Sequence, residues 1–305
     1  MAEKVYSFLN DFVFKYAFGR EKNERLLVCL LNALLRLEGQ SRIQEVKLLN
    51  PFNLKEFADT KLSIVDVKAV DGYRRRYNVE VQVNAQSAFI PRSLYYLGKL
   101  FTEQLGEGEP FSNLFRATSI SILEFTLFPH SPDIQSIYRF RNLVTNEDLT
   151  DLLEAHFIEL PKFTQEKPRQ LRTPFERWLY ILKFGSRYDA KTALPRELQQ
   201  EEGVDMAIAE LQKLNSDREM RQLIEAREKA RHDEATRFAE AELRGKLSKM
   251  REIAEKLLAE GMPIAKVADL TGLAEAEVRT LGAERSRHSR VQEPPQPHSH
   301  TKRRT

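Results

Sequence analysis

The stretch KLSIVDVKAVDGYRRRYNVEVQVN, from Lys61 to Asn84, predicts a β-hairpin with acidic side chains on one face. Both limbs alternate apolar and polar residues, which is the period of a half-buried strand. The apolar residues are Val65, Val67 and Ala69 in the first limb and Tyr77, Val79, Val81 and Val83 in the second. If both apolar faces pack into one core, the other face carries the polar residues Asp66, Lys68, Glu80 and Gln82.

The length of the turn decides whether the two acids share that face. A two-residue loop at Asp71-Gly72 would set Asp66 opposite Tyr77 and would separate it from Glu80. A loop of three or five residues restores the shared face, and the run from Gly72 to Arg76 leaves room for one. We therefore expect an odd loop or a bulge, with Asp66 and Glu80 close across the pair.

Two neighbouring carboxylates suggest a metal site. They repel each other unless they are protonated or bridged by a cation. Oxygen ligands beside the short polar side chain of Gln82 suit a hard ion such as Mg²⁺ or Mn²⁺. The alternative is that both acids lie on a solvated strand face and bind nothing.

The order of these residues resembles a nuclease signature. Asp66 followed by Glu80-Val81-Gln82 is similar to the PD-(D/E)XK motif in its variant with glutamine in place of lysine. Four further stretches extend the resemblance: DFVFKYAFG at 11–19, LLNALL at 30–35, RSLYYLGKLFTEQLGEGEPF at 92–111 and IELPKF at 158–163. Together they resemble the recombination-promoting nuclease and transposase family of bacteria.

The resemblance implies an α/β fold with a restriction-endonuclease-like mixed sheet flanked by helices, and metal-dependent cleavage of DNA phosphodiesters. Asp66 and Glu80 would hold Mg²⁺ or Mn²⁺, helped by the Val81 carbonyl. Gln82 takes the place of the usual lysine, and it offers hydrogen bonds without a positive charge. Lys68 could supply the missing cation, or it could be an exposed strand lysine.

Further site candidates flank the hairpin. Asp11 could give a metal ligand from an N-terminal helix, or it could be an N-cap. Arg92 and Gln104, in a helix expected from Pro91 to Leu105, could contact the DNA backbone or order the metal shell, or they could be surface residues. A run of arginines in the predicted loop, expected beside the acidic face, could grip phosphates or be merely solvated: Arg74, Arg75 and Arg76.

The remaining sequence predicts three more regions after a nuclease core at 1–165. Residues 166–200 form a helical extension packing on that core. Residues 201–283 form an all-α region with a long charged helix from Val204 to Met250 and a helix-turn-helix-like end, which could support a homo-oligomer. Residues 284–305 are expected to be a disordered basic tail.

Composition sets wide limits on function. The 305-residue chain has a net charge of +3 and a mean hydropathy of -0.50. It lacks an apolar run long enough to span a membrane and a signal-like N-terminus, so we expect a cytoplasmic protein. Its single cysteine, Cys29, is expected to be a small buried hydrophobe.

Two functions remain open at this point. The first is a Mg²⁺-dependent DNA endonuclease linked to recombination or mobile elements. The second is a catalytically weak DNA-binding or assembly protein with a regulatory C-terminal region, which the replacement of lysine by Gln82 favours.

Overall fold

A six-stranded mixed sheet forms the centre of the protein. The computed structural model describes residues 5–52, 66–188 and 192–291. The strands, in the order β1-β2-β3-β4-β6-β5, are β1 Val46–Leu48, β2 Val67–Asp71, β3 Arg76–Gln82, β4 Ala117–Leu123, β5 Gln135–Arg139 and β6 Leu153–Glu159. The pairs β3/β4 and β4/β6 are parallel, and the other three are antiparallel. The predicted mixed sheet flanked by helices is confirmed.

Helices precede, separate and follow the strands, and no strand follows β6 in the described part of the chain. They are α1 Asp11–Phe18, α2 Glu24–Leu34, α3 Phe89–Thr102, α4 Pro174–Phe184, α5 Arg196–Gln199, α6 Val204–Ser216, α7 Arg218–Ala259, α8 Ile264–Thr271 and α9 Glu275–Val291. In the described part of the chain, no helix is both long and apolar enough to cross a bilayer.

The two faces of the sheet are covered by different helices. One face packs with α1, α2, α4 and α6 in a large core that includes Val79, Val81 and Trp178. The other face packs with α3, through Phe89, Leu97 and Leu100 of the helix and Leu123 and Phe157 of the sheet. Because Glu80 alternates with Val79 and Val81 along β3, its side chain lies on the face that α3 covers.

Strand β4 lies in the middle of the sheet and is buried along its whole length. The run from Ala117 to Phe128 is rich in apolar residues, a pattern typical of a strand covered on both faces, but the strand occupies only its first seven residues. It ends earlier because the backbone N–H groups of Leu127 and Phe128 donate instead to Glu159 Oε1, at 2.6 and 3.0 Å. The buried Glu159 carboxylate therefore redirects the chain after β4.

The hairpin has the expected odd loop. Val67 pairs with Val79 and Val70 with Arg76, and the Arg74 N–H donates to the Asp71 carbonyl at 2.9 Å. The loop is closed by Arg74 in a left-handed conformation, with φ of 65°. The first residues of the predicted limb, 61–65, lie outside the described residues.

The chain divides into two compact units at Arg227 and Glu228. In the second unit the end of α7 packs with α8 and α9 through a small core: Ala254, Val267, Leu273 and Val278. The predicted boundaries at 165, 200 and 283 remain predictions.

Two C-terminal expectations need correction. The predicted helix from Val204 to Met250 is interrupted at Asp217, whose side chain accepts from the N–H groups of Glu219 and Met220 at 2.9 and 3.2 Å and so starts a new helix. Disorder was predicted from Glu284, but α9 stays helical to Val291, because adding a residue to an existing helix costs far less than starting one. Residues 292–305 of the predicted tail lie outside the described residues.

Candidate active site

The hairpin brings Asp66 and Glu80 to its open end. Continuing the register by one pair beyond Val67 and Val79 sets the two acids opposite each other. Asp66 is 5% exposed and Glu80 is 7% exposed. The alternative of two acids on a solvated strand face is therefore wrong.

Within the described chain, Glu80 has two hydrogen bonds and one cation at a longer distance. Ser121 Oγ, on the neighbouring strand β4, donates to Glu80 Oε1 at 3.0 Å. Gln82 Nε2 donates to Oε2 at 3.2 Å. The nearest guanidinium atom of Arg92, on α3, is 3.9 Å from the same oxygen. The carboxylate is thus oriented firmly but neutralised only loosely.

Asp66 is held by an asparagine that the sequence analysis did not single out. Asn50 Nδ2 donates to Asp66 Oδ1 and to the Asp66 carbonyl, both at 3.2 Å, and Asn50 Oδ1 accepts from the Lys68 N–H at 2.7 Å. Lys68 Nζ lies 4.0 Å from Asp66 Oδ2. The sequence at Asn50-Pro51 signals a turn, and nothing local in it indicates a contact with Asp66.

Burial raises the pKa of both carboxyl groups. For Asp66 this is opposed by the charges of Lys68 and then of Lys15 on α1. For Glu80 it is opposed by Arg92 and by the hydrogen bonds from Ser121 and Gln82, while the charge of Asp66 adds to the rise. Both acids are buried, and Asp66 adds to the proton affinity of Glu80, so a further cation would stabilise their charged forms.

The oxygen atoms of this acidic pair suit a hard divalent ion. Within residues 5–52, 66–188 and 192–291, no three His, Cys, Asp or Glu side chains form a metal-binding group. The candidate ligands on the hairpin are the two carboxylates and the Val81 carbonyl, because the Val81 side chain is apolar and lies in the core. Oxygen ligands of this kind fit Mg²⁺ or Mn²⁺.

Unsatisfied polar atoms lie on the same face of the sheet. Arg92 Nε and Nη2 and Asn78 Oδ1 are buried and have no hydrogen-bond partner among the described residues. Asn78 precedes Glu80 by two residues on β3 and pairs with Lys68 across the hairpin. Buried polar groups are almost always hydrogen-bonded, so these atoms indicate a place for a polar ligand.

The loop arginines are not part of this site. Arg74 and Arg75 lie at the closed end of the hairpin, about 20 Å along the strand from Glu80 at 3.3 Å per residue. Arg75 Nε donates to Asp71 Oδ2 at 2.6 Å, and Arg74 stacks on the Phe115 ring with its Cζ 4.4 Å from the centroid. Arg76 is inside β3 and pairs with Val70. Arg74 and Arg75 do not lie beside the acidic pair as predicted, because the hairpin carries its loop away from its open end; contact of the three arginines with phosphates remains a prediction.

Gln104 also lies at the wrong end of the sheet for a role beside Glu80. Its side chain donates to the Phe115 carbonyl at 2.8 Å and accepts from the Phe115 N–H at 3.0 Å. Phe115 comes just before β4, at the end of that strand remote from Ser121. The amide of Gln104 therefore anchors the entry to β4.

Asp11 is the first residue of α1 but does not cap it. The cap is Asn10, whose Oδ1 accepts from the N–H groups of Phe12 and Val13. Asp11 Oδ1 accepts from the Phe12 N–H at 2.8 Å. The N-cap interpretation of Asp11 is wrong, and its role as a metal ligand remains a prediction.

Comparison with known protein families gives a match. A family model described as PD-(D/E)XK nuclease family transposase matches residues 8–241, a range that includes Asp66, Glu80 and Arg92. No curated protein and no solved structure gives a match.

Proposed function

The chain belongs to the PD-(D/E)XK nuclease family transposases, and we propose that it is a metal-dependent DNA endonuclease. Membership of this family gives it a nuclease-like or transposase-related function. The observation that carries the proposal is the buried pair of Asp66 and Glu80, aligned across β2 and β3 and only loosely neutralised by the cations around it. We place its activity in recombination or the movement of genetic elements.

Asp66, Glu80 and the Val81 carbonyl would hold Mg²⁺ or Mn²⁺. When bound, the ion supplies a Lewis acid for the oxygens of the attacked phosphate. Asn50 and Ser121 fix the two carboxylates in place from outside the ligand set. Such outer hydrogen bonds orient metal ligands and are usually important for affinity.

Arg92 would bind a phosphate oxygen of the DNA. Its Nε and Nη2 are buried donors without a partner in the described chain, and a guanidinium presents its donors in a fork that matches phosphate. Its Nη1 is held by Gln86 Oε1 at 3.0 Å, which limits its freedom. The residue is therefore positioned to bind an anion next to Glu80.

The second candidate is a catalytically weak DNA-binding or assembly protein. The observation that favours it is Gln82, whose amide is neutral and already donates to Glu80. In that case the hairpin would bind DNA or scaffold the fold, and the C-terminal helices would mediate self-association.

Cleavage of a supercoiled plasmid separates the two candidates. The wild type, Asp66→Asn, Glu80→Gln and the control Glu103→Gln would be compared with Mg²⁺, Mn²⁺ or EDTA. Glu103 is a matched surface glutamate whose side chain is 43% exposed and pairs with Lys99.

We expect metal-dependent cutting by the wild type and the control, and none by the two site variants. A folded wild type that cuts no DNA with either ion, or site variants that cut as fast as the control, would reject the endonuclease.

A further inference from the structure

We infer that Lys15 on α1 is a positioning residue of this site, and that its buried charge does the electrostatic work that Gln82 cannot do. This inference rests on the proposed nuclease function. It adds a residue from outside the hairpin to the acidic pair.

Lys15 is buried within an apolar helix. It is 7% exposed, and its neighbours on α1 are Phe12, Val13, Phe14, Tyr16 and Phe18. Taking an ammonium group out of water is costly unless negative charge lies nearby. A lysine kept in this position therefore indicates an acidic environment within the protein.

The packing of α1 places Lys15 on the side of the helix that contacts Phe52. Phe12, Tyr16 and Gly19 lie on one side of the helix, and all three contact Phe52. The rings of Phe12 and Tyr16 meet the Phe52 ring edge-on, with centroids at 5.6 and 5.8 Å. The Gly19 carbonyl accepts from the Phe52 N–H at 2.6 Å. Residue 15 lies on this same side of the helix, between Phe12 and Gly19.

The segment that α1 contacts is also the one that holds Asp66. Asn50 lies two residues before Phe52, and its side chain is hydrogen-bonded to the Asp66 carboxylate. Burial raises the pKa of Asp66, and the charges of Lys68 and then of Lys15 oppose that rise. Lys15 thus approaches the acid from the helix side and Lys68 from its own strand.

Gly19 leaves space for the lysine stem. A Cβ at this position would lie 2.7 Å from the Lys15 carbonyl oxygen and 3.1 Å from Lys15 Cγ. Any side chain there would displace the helix end or the lysine.

The two lysines differ in what they could do. The Lys68 side chain is 20% exposed and can move towards solvent or DNA. Lys15 is buried, so it has less freedom to move than Lys68, and in this inference its charge acts on the substrate through Asp66. A charge that is already in position lowers the energy of negative charge that develops during hydrolysis, without rearrangement of the site.

The test uses Lys15→Met, which removes the charge but keeps the length, and Lys15→Arg, which keeps the charge. The control is Lys22→Met, a surface lysine with a 51% exposed side chain that pairs with Glu210. Cleavage kinetics on DNA and Mn²⁺ binding by calorimetry would be measured at about pH 8.5, where most carboxylates are ionised.

For Lys15→Met we expect kcat to fall by about 10- to 100-fold, as for residues that support metal ligands, with KM for DNA little changed. Mn²⁺ should bind roughly three to ten times more tightly, because a repelling charge has been removed. Lys15→Arg should recover most of kcat, and Lys22→Met should match the wild type. A lysine needed only for packing would weaken both cleavage and Mn²⁺ binding.

Wild-type kcat in folded Lys15→Met, or unchanged or weaker Mn²⁺ binding in it, would overturn the inference. If the wild type cuts no DNA, the proposed function fails, and the Mn²⁺ measurement alone then decides whether Lys15 faces the ion site. If Lys15→Met does not fold, Lys15→Arg decides. The same kcat and Mn²⁺ affinity in Lys15→Arg as in the wild type would support the role of charge, and an inactive Lys15→Arg would reject it.

Discussion

Both ends of the β2–β3 hairpin contain buried carboxylates, but the contacts of these carboxylates differ. At the loop end, Asp71 is 6% exposed and accepts four hydrogen bonds: from the N–H groups of Tyr73 and Arg75 at 2.9 Å, from Arg75 Nε at 2.6 Å and from Tyr77 OH at 3.0 Å. At the open end, Asp66 and Glu80 are equally buried, but the nearest cations among the described residues are 4.0 and 3.9 Å away.

This difference separates a structural acid from the two acids that we propose bind the metal. Burial by itself is the same at both ends, so it cannot distinguish them. What differs is whether the protein satisfies the charge. Unsatisfied guanidinium donors occur at both ends, on Arg75 and on Arg92. The difference lies in the carboxylates: Asp71 is hydrogen-bonded to a cationic side chain, whereas no described cation is within hydrogen-bond distance of Asp66 or Glu80.

The largest expected effect is on catalysis at the open end. Asp66→Asn and Glu80→Gln should each lower kcat/KM for DNA cleavage by on the order of 10³-fold or more, since a metal ligand contributes several kcal/mol to the transition state. Asp71→Asn should retain cleavage in its folded fraction. Loss of cleavage in folded Asp71→Asn equal to that of the site variants would break the comparison.

The next effect is on stability at the loop end. Asp71→Asn should lower the free energy of unfolding by about 3 kcal/mol, because it leaves Arg75 and Tyr77 without their buried partner. Urea denaturation would measure this. Asp151→Asn is the control: its side chain is 58% exposed beside Arg116, so the change should be within about 1 kcal/mol.

The pH dependence of the metal-free protein should show the charge left at the open end. The folded-state pKa values of Asp66 and Glu80 are raised above their ordinary values, 3.8 and 4.5, so the folded state holds these protons to higher pH than the unfolded state. Stability is therefore greatest below the ordinary values and is lost as pH rises through the raised ones, by at most about 1.4 kcal/mol per pH unit for each group.

Urea midpoints in EDTA, compared between the wild type and Glu80→Gln from about pH 4 to pH 7, would isolate this contribution. The variant should lose less stability over the range. Parallel curves would show that the open end carries no unfavourable charge.

The smallest expected effect extends the comparison to α3. Gln104→Ala should cost about 1 to 2 kcal/mol, because it leaves the Phe115 backbone groups without partners, and it should not change cleavage. Gln199→Ala, which removes one surface hydrogen bond to the Leu194 carbonyl, is the control. Slower cleavage by folded Gln104→Ala would place this end of the sheet in the site.

Local pattern was enough to predict the pairing of the acids. The alternation of Val67, Val79 and Val81 with polar residues, together with an odd loop, places Asp66 and Glu80 on one face whatever surrounds them. The strands and several helices follow from the same kind of pattern, although their ends shift by a few residues where a side chain such as Glu159 or Asp217 captures backbone N–H groups.

The sequence by itself therefore determined the mixed sheet and the alignment of its two acids, because strand period and loop length act over neighbouring residues. Only the tertiary structure decided that both acids are buried, that Arg92 comes to Glu80 while Gln104 and the loop arginines do not, and that Asn50 and Lys15 approach Asp66. These facts depend on how α1 and α3 cross the sheet. Such packing joins residues far apart in the chain, and no local period encodes it.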